Sequence, residues 1–394
     1  MLSVNEAITN LLENSKCLVD SEVVNLMDAS GRTLATDIVA PIDVPPADNS
    51  AMDGYAIRFV DWSGTDAGIP LSQRITAGSV PDPLEPGTAA RIFTGAEVPP
   101  GADTVVMQEN CEETDGAVRI LKLPASGANI RRRAQDLATG QTVLFKGQRL
   151  RSQDLGLAAS LGIAKVSVYR RLTVAVMSTG DELREPGERL QPGQIYNSNR
   201  FTMKSQLAAW GFEVVDMGVA RDDPGAVREM LLEAAAQADV IVTSGGVSVG
   251  EEDHVKAVVE SLGAIDLWRI AVKPGKPFAF GNVRGKPFIG LPGNPVSVFV
   301  TLLVIARPCL FACQGIADKG VHAVRHTAMF DRKSSQREDY LRVRSTADGV
   351  ELFTNQSSGV LFSTTWGDGL VRQNTGEEIR EGMLVDYLPY SVLN

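Results

Sequence analysis

Between Leu172 and Leu291 continuous apolar runs alternate with helical stretches, and no other feature limits so strongly what this chain can fold into. Thr173 to Met177, Glu213 to Val215, Val240 to Thr243 and Phe288 to Leu291 read as strands, while helical spacing covers Arg200 to Trp210, Pro224 to Ala238 and Glu251 to Leu262. Strands that are apolar along their whole length cannot present a face to water. The alternation therefore predicts a parallel sheet with helices on both faces and right-handed crossovers. Asn294-Pro295 then combines a good N-cap with a proline at the first helical position. The apolar stretch that follows, Val296 to Ala306, is about half of the roughly 20 residues a membrane span requires and is closed by Arg307 and Pro308. It reads as a buried helix.

The flanks differ in texture. Ser3 and Glu6 form a capping box, and Val4, Ala7, Ile8, Leu11 and Leu12 keep helical spacing behind it. After Ala40 short β-type runs are punctuated by Val44-Pro45-Pro46, Gly78, Val98-Pro99-Pro100-Gly101 and Asp115-Gly116, the pattern of a module built from hairpins. Helical character returns at Ser152 to Leu161, and β signals resume beyond Asp318. The expected fold class is α/β plus β in a multidomain, elongated chain of 394 residues. Residues 1–40 and 140–170 would form a helix-rich domain, 41–139 an inserted β-rich domain, 171–317 the parallel-sheet α/β domain, and 318–394 a C-terminal β domain of barrel-like type.

Composition removes several classes of function. With 38 Lys and Arg against 48 Asp and Glu, the net charge of −10 disfavours binding to nucleic acid or to an anionic membrane. Four cysteines are too few for a disulfide framework, and the N-terminus lacks the blocks of a signal peptide, so the expected compartment is cytoplasmic. Only His254, His322 and His326 are available to a Ser-His-Asp triad, and no serine stands in a nucleophile-elbow pattern. Cys309 and Cys313 read as two buried thiols, and no zinc site is expected. Walker and Gly-x-Gly-x-x-Gly motifs are absent, which argues against a P-loop NTPase or a dinucleotide dehydrogenase.

Three strands of the α/β segment lead into small or polar residues followed by carboxylates. These are Ser178-Thr179-Gly180-Asp181-Glu182, Gly218 to Asp222-Asp223, and Ser244-Gly245-Gly246-Val247-Ser248-Val249-Gly250 leading to Asp253. In an open parallel sheet the carboxyl ends of the strands make one rim, and ligands bind there where strand order reverses. Glycines let backbone amides approach phosphate oxygens, but the acids beside them would repel a bare phosphate. A hard divalent cation such as Mg²⁺ between carboxylate and phosphate resolves that conflict. Any one of these loops alone is equally well a tight turn with acids at a helix start. Lys273-Pro274-Gly275-Lys276-Pro277 adds two cations on a stiffened turn, and Leu291-Pro292-Gly293-Asn294-Pro295 presents a helix N-terminus. In the β-rich insert, Asp48 to Tyr55 is unusually rich in acceptors, Thr94-Gly95 enters a loop, and Arg131-Arg132-Arg133 precedes Asp136. Solvated turns and charge runs are the plain alternatives for these.

Asn49-Ser50-Ala51-Met52-Asp53-Gly54-Tyr55-Ala56, Ser178 to Leu183, Ser244 to Gly250, Lys273 to Pro277 and Leu291 to Pro295 occur in one order over nearly the whole chain. In that order and spacing the sequence resembles the molybdopterin molybdenumtransferases of the MoeA and gephyrin C-terminal type. The resemblance implies an L-shaped homodimer of four-domain chains whose α/β domain binds adenylyl-molybdopterin and whose inserted domain completes the site across the dimer interface. It implies insertion of molybdenum from molybdate, as substrate, into the pterin dithiolene, with Mg²⁺-dependent release of AMP. By similarity Asp53, Glu182, Asp222 and Lys273 would be catalytic, and Glu182, Asp222 and Asp253 would hold the metal. Thr94, Arg133, Asp136, Thr179, Gly180, Ser244, Gly245, Gly246, Ser248, Gly250, Arg269, Lys276, Pro292, Asn294, Arg342 and Ser358 would contact substrate. Arg269 stands where many relatives carry lysine, which keeps the charge but makes a point contact forked. Further partners implied are the molybdopterin adenylyltransferase and molybdoenzyme chaperones. The competing readings are a molybdopterin adenylyltransferase or nucleotide pyrophosphohydrolase on the same α/β unit, and a non-catalytic scaffold.

Overall fold

The computed structural model describes residues 1–64, 67–246 and 254–393, and for Leu267 the backbone alone. Two compact units emerge. Met1–Thr36, Lys146–Arg151 and Lys165–Asn394 form one, and Asp37–Phe145 with Ser152–Ala164 form the other.

The first unit is built on a six-stranded sheet in the order Glu213–Ala220, Thr173–Thr179, Val240–Ser244, Lys286–Leu291, Pro277–Val283, Gly263–Arg269. The first four strands are parallel as expected. The last two are antiparallel to their neighbours, so the sheet is mixed and not wholly parallel. The cause is local: Arg284 and Gly285, at φ 52° and 80°, join adjacent strands by a two-residue turn, too short for a crossover. Alternate side chains feed two cores. Val174, Val176, Val240 and Val242 face the core that includes Met203, Leu207 and the helix after Asn294. Ala175, Met177 and Ile241 face the core built with Val227, Leu231, Val255 and Val259.

The apolar helix runs further than its sequence suggests. Pro295–Gln314 is a continuous helical course, long and apolar enough to span a membrane, but 94% of its most apolar 18 residues are buried inside the protein. Pro308 does not end it. A proline lacks the N–H that an α-helix needs, and the π-type segment Leu302–Ala306 just before it loosens the register. The helix stops at Gly315, whose φ of 80° makes the left-handed cap.

The N-terminal helix Val4–Glu13 has the expected capping box, with Ser3 Oγ accepting the Glu6 N–H at 3.2 Å. Val4, Ala7 and Leu11 bury into the first core, so this helix belongs with the α/β sheet. The helix Ser152–Ser160 belongs to the second unit. The C-terminal sheet of the first unit runs Val272–Lys273, Glu338–Ser345, Gly369–Gln373, Leu384–Pro389, Val324–Thr327, with Val350–Leu352 also paired to Glu338–Ser345. A bridge between Ala328 and Val350 brings that hydrogen-bonded path back on itself. In the second unit the main sheet runs Thr104–Met107, Gly54–Ile57, Ala89–Ile92, Ile69–Ile75, Ala117–Ile120, Cys111–Thr114.

Arg200 ties the helix Ser198–Ala209 to the edge strand through a forked contact with Asp216, at 2.7 Å from Nε and 2.9 Å from Nη2. Burial would raise the Asp216 pKa, but hydrogen bonds from Arg200, Lys204 and the Gly218 N–H outweigh it and hold the carboxyl down to about 2. A carboxyl whose pKa falls on folding stabilises the protein above its unfolded value, near 3.8, and that contribution drains away as pH falls through about 2. Arg200→Met should therefore move the acid-unfolding midpoint to higher pH and cost about 1–2 kcal/mol at neutral pH, measured by denaturant titration at a series of pH values.

Candidate functional site

The parallel strands Thr173–Thr179, Val240–Ser244 and Lys286–Leu291 end on one border, where Ser178 is in register with Ser244 and Ser244 with Leu291. From Thr173–Thr179 the chain moves to the strand on one side, then crosses to the strand on the other. Strand order therefore reverses at Thr179 and Ser244, the position at which open α/β sheets bind ligands. Ser178 Oγ and Ser244 Oγ are 3.3 Å apart beneath it. Thr179 and Ser244 are buried, whereas Asp181, Glu182, Asp222 and Asp223 are exposed above them.

Gly180 has φ 145°, and a Cβ built on it would lie 2.5 Å from Glu182 Oε2, so the Glu182 carboxylate folds back over the end of the first strand. Asp181 Oδ1 accepts the Asp222 N–H at 3.1 Å and joins the first two rim loops. Asp223 caps the next helix through the Ala226 N–H at 2.9 Å, so of the two adjacent acids Asp223 is structural and Asp222 is left to the rim. Asn199 Nδ2 donates to Gly293 O at 2.7 Å and ties in the Leu291–Pro295 loop. At Gly246, φ 66°, a Cβ would sit 2.3 Å from Val255 Cγ2 and 2.9 Å from Thr179 Oγ1. Gly246→Ala should therefore destabilise the first unit by about 2–3 kcal/mol in a urea titration; a loss under about 0.5 kcal/mol would mean this loop is not held there.

The cationic loop reaches the same border. Gly263–Arg269 runs in the same sense as Lys286–Leu291, so exposed Arg269 ends at the rim and Lys273–Pro277 starts the return. Gly275, at φ 113°, closes on the helix start: its Cβ position is 2.5 Å from Thr301 Cγ2 and 3.7 Å from buried Pro292. Lys276 is exposed, with its carbonyl held by the Ile270 N–H at 3.0 Å. Lys273 Nζ lies 3.3 Å from Asp339 Oδ2.

Two expectations need correction. Asn294 precedes the helix but makes no side-chain cap; its Nδ2 donates to Ser358 Oγ at 3.1 Å. Ser358 O, from a loop far along the chain, accepts the Val296 N–H at 3.1 Å instead. Ser358 does therefore stand at the rim. Arg342, expected to contact substrate, is fully buried in this structure, bonded to Ser363 Oγ, Tyr340 O and Ser357 O, and desolvation lowers its pKa to about 10. It orders the Ser357-Ser358 loop from beneath. Ser248, Gly250 and Asp253, with Glu251 and Glu252, lie outside the described residues.

In the second unit the Asp53, Thr94 and Arg131 motifs assemble with one another. Asn49–Ser50 pairs with Ile130–Arg131, and Gly95 N donates to Ser50 O at 2.8 Å. Thr94 donates both its N–H and its hydroxyl to Asp53 Oδ1, each at 2.7 Å. The Thr94 N–H above all holds the Asp53 carboxyl below the usual carboxylate range. Arg133 Nε binds Asp43 Oδ2 at 2.5 Å, while its backbone N–H and Arg132 Nη1 bind Asp48 at 2.8 and 2.6 Å. The Thr139 N–H and hydroxyl, then Arg133, hold the Asp43 carboxyl down to about 2. Asp136 is exposed on the same turn, its N–H donated to Val44 O at 2.9 Å.

Among the described residues no three His, Cys, Asp or Glu side chains converge as a ready metal cage. Glu182 and Asp222 still offer hard oxygen donors, which suits an ion that takes one or two carboxylates and fills its shell with phosphate and water. Sequence reasoning overlooked Asp339 altogether, since a lone acid in a strand carries no local signal of its partner.

Comparison with known proteins adds three family profiles. "MoeA N-terminal region (domain I and II)" matches residues 2–162, "Probable molybdopterin binding domain" residues 175–312, and "MoeA C-terminal region (domain IV)" residues 325–390. A molybdopterin molybdenumtransferase of Haemophilus influenzae is 44% identical over 80% of this chain and 78% of its own length. One from Synechococcus elongatus is 33% identical over 96% of this chain and 99% of its own. Crystal structures of the molybdopterin biosynthesis MoeA protein of Pyrococcus horikoshii superpose with TM-scores of 0.80, at 33% identity over 99% of both chains, and 0.87, at 28% identity over 99% and 100%.

Proposed function

This chain belongs to the molybdopterin molybdenumtransferase family, and from that premise we propose that its sheet rim carries out the molybdenum insertion step of molybdenum cofactor biosynthesis. The substrates in this reading are adenylyl-molybdopterin and molybdate, and the products are the metal-loaded pterin and AMP. One observation carries it: carboxylates from two rim loops and the Lys273–Pro277 loop reach a single border where strand order reverses.

Gly245 and Gly246 give the diphosphate close access to backbone at the end of Val240–Ser244. Glu182 and Asp222 would hold Mg²⁺, with Asp253 as a third donor in the same reading. When bound, the ion supplies the positive charge that offsets the diphosphate. Lys276 and Arg269, exposed at the border, bind and orient molybdate with Lys273. Protein residues in this scheme position and neutralise, and none acts as a nucleophile. Asp53, fixed by Thr94, and the arginines near Asp136 serve the same reaction from the second unit, contributed by a second copy of the chain in a homodimer. The domain division 1–40 with 140–170, 41–139, 171–317 and 318–394, and a cytoplasmic location, belong to the same proposal.

The test is to incubate the purified chain with adenylyl-molybdopterin, Mg²⁺ and molybdate while following AMP release and metal incorporation together. Both should rise in parallel and stop when Mg²⁺ is chelated. AMP release without metal incorporation would point to a hydrolase and defeat the assignment.

A further inference from the structure

We propose that Asp339 is a positioning residue for Lys273, fixing the ammonium that meets the anionic oxygens of molybdate. The inference rests on the reading of the Lys273–Pro277 loop given above and extends it to a residue outside the rim.

Val272–Lys273 forms a short parallel pairing with Glu338–Asp339, which sets the Lys273 and Asp339 backbones side by side in register. Asp339 is 1% exposed, and its Oδ2 lies 3.3 Å from both Lys273 Nζ and Arg332 Nη2. The Lys273 side chain is 38% exposed, so one end of the pair is buried and the other reaches solvent. The backbone around the lysine is held as well: Arg337 Nη1 donates to Val272 O at 3.2 Å, and Gly275 is wedged against Thr301 and Pro292.

A pair kept only for stability should satisfy both carboxylate oxygens, because a buried acceptor without a donor is costly. Asp339 Oδ1 is buried and accepts no hydrogen bond among the described residues, and neither does Gln373 Oε1 on the neighbouring strand, where Gln373 is the register partner of Asp339. Apolar side chains would fill this spot at lower cost. What the carboxylate uniquely supplies is a fixed negative point that draws a flexible lysine into one orientation. Lysine carries much rotamer freedom, so a preset ammonium binds a small dianion more tightly than a free one.

The full-length chain, assayed with adenylyl-molybdopterin and Mg²⁺ while molybdate is varied, separates the possibilities. Asp339→Asn should raise the molybdate KM by about tenfold, with kcat at saturating molybdate and the KM for the pterin within about threefold of wild type. Asp339→Glu should recover part of the loss. Arg332→Met, which removes the other partner of the carboxylate and leaves Lys273 in place, should leave the molybdate KM unchanged. If Asp339→Asn does not fold, Asp339→Leu, which suits the buried surroundings and carries no charge, takes its place, and a molybdate KM equal to wild type in that variant overturns the proposal. Lys273→Met distinguishes two kinds of failure. Should it raise the molybdate KM while Asp339→Asn does not, the positioning role is wrong and the loop reading survives. Should Lys273→Met itself leave that KM unchanged, the loop reading falls with it.

Discussion

Glu182→Gln is expected to lower molybdenum insertion at least about 100-fold while circular dichroism and melting temperature stay as in wild type. Glutamine has nearly the same shape as glutamate, so it can lie over Gly180 as the carboxylate does. The side chain is exposed and anchors no core, which is why the fold should not notice the change. Only the charge is removed. If the acids at this border merely favoured helix starts, the effect on turnover would be slight, and activity within twofold of wild type would refute the role assigned to the rim.

Asp53→Asn should cause a loss of similar size, and the structure shows why this substitution is informative. Both bonds from Thr94 fall on Oδ1, an oxygen that asparagine also possesses, so the loop can keep its shape while the second oxygen is replaced by a donor. The Thr94 N–H and hydroxyl hold the carboxyl below its usual range, so in wild type it is ionised throughout the neutral range, and the variant removes a charge that is always present. Should the variant turn over normally, this motif is a plain turn. Because we propose that the Asp53 motif of one copy serves the rim of another, co-expression of the Asp53→Asn and Glu182→Gln chains should restore about a quarter of wild-type activity. Half of the random dimers are then mixed, and each mixed dimer holds one intact site of two. No recovery would place both residues within one chain's site.

The α/β core was readable from the chain because burial on both faces leaves an unbroken apolar run, and three such runs appear as strands where they were expected, with Glu213–Ala220 as the more exposed edge strand beside them. The glycine and acid clusters that follow them were readable for the same reason: a strand's end can be located locally, and a parallel sheet brings equivalent ends together. Other features failed because their cause lies elsewhere in the chain. The hairpin at Arg284-Gly285 hid within an alternating pattern that a crossover would share. Asn294 looks like a cap by type, but Ser358 draws its amide away. Pro308 looks like a stop, but the widened turn before it lets the helix continue.

Local composition alone thus determined which segments are strands or helices, which loops carry carboxylates, glycines and lysines, and to which family the chain belongs. Those properties depend on neighbours in sequence and on periodic burial. Only the tertiary structure decided which charges are held and which face outward. Asp339 buries its carboxylate against Lys273 and Arg332, Asp223 becomes a cap while Asp222 stays at the rim, and Arg342 turns inward to order the Ser358 loop. The reason is physical: the energy of a charge is set by its solvent exposure and its partners in space, and those partners lie up to tens of residues away along the chain.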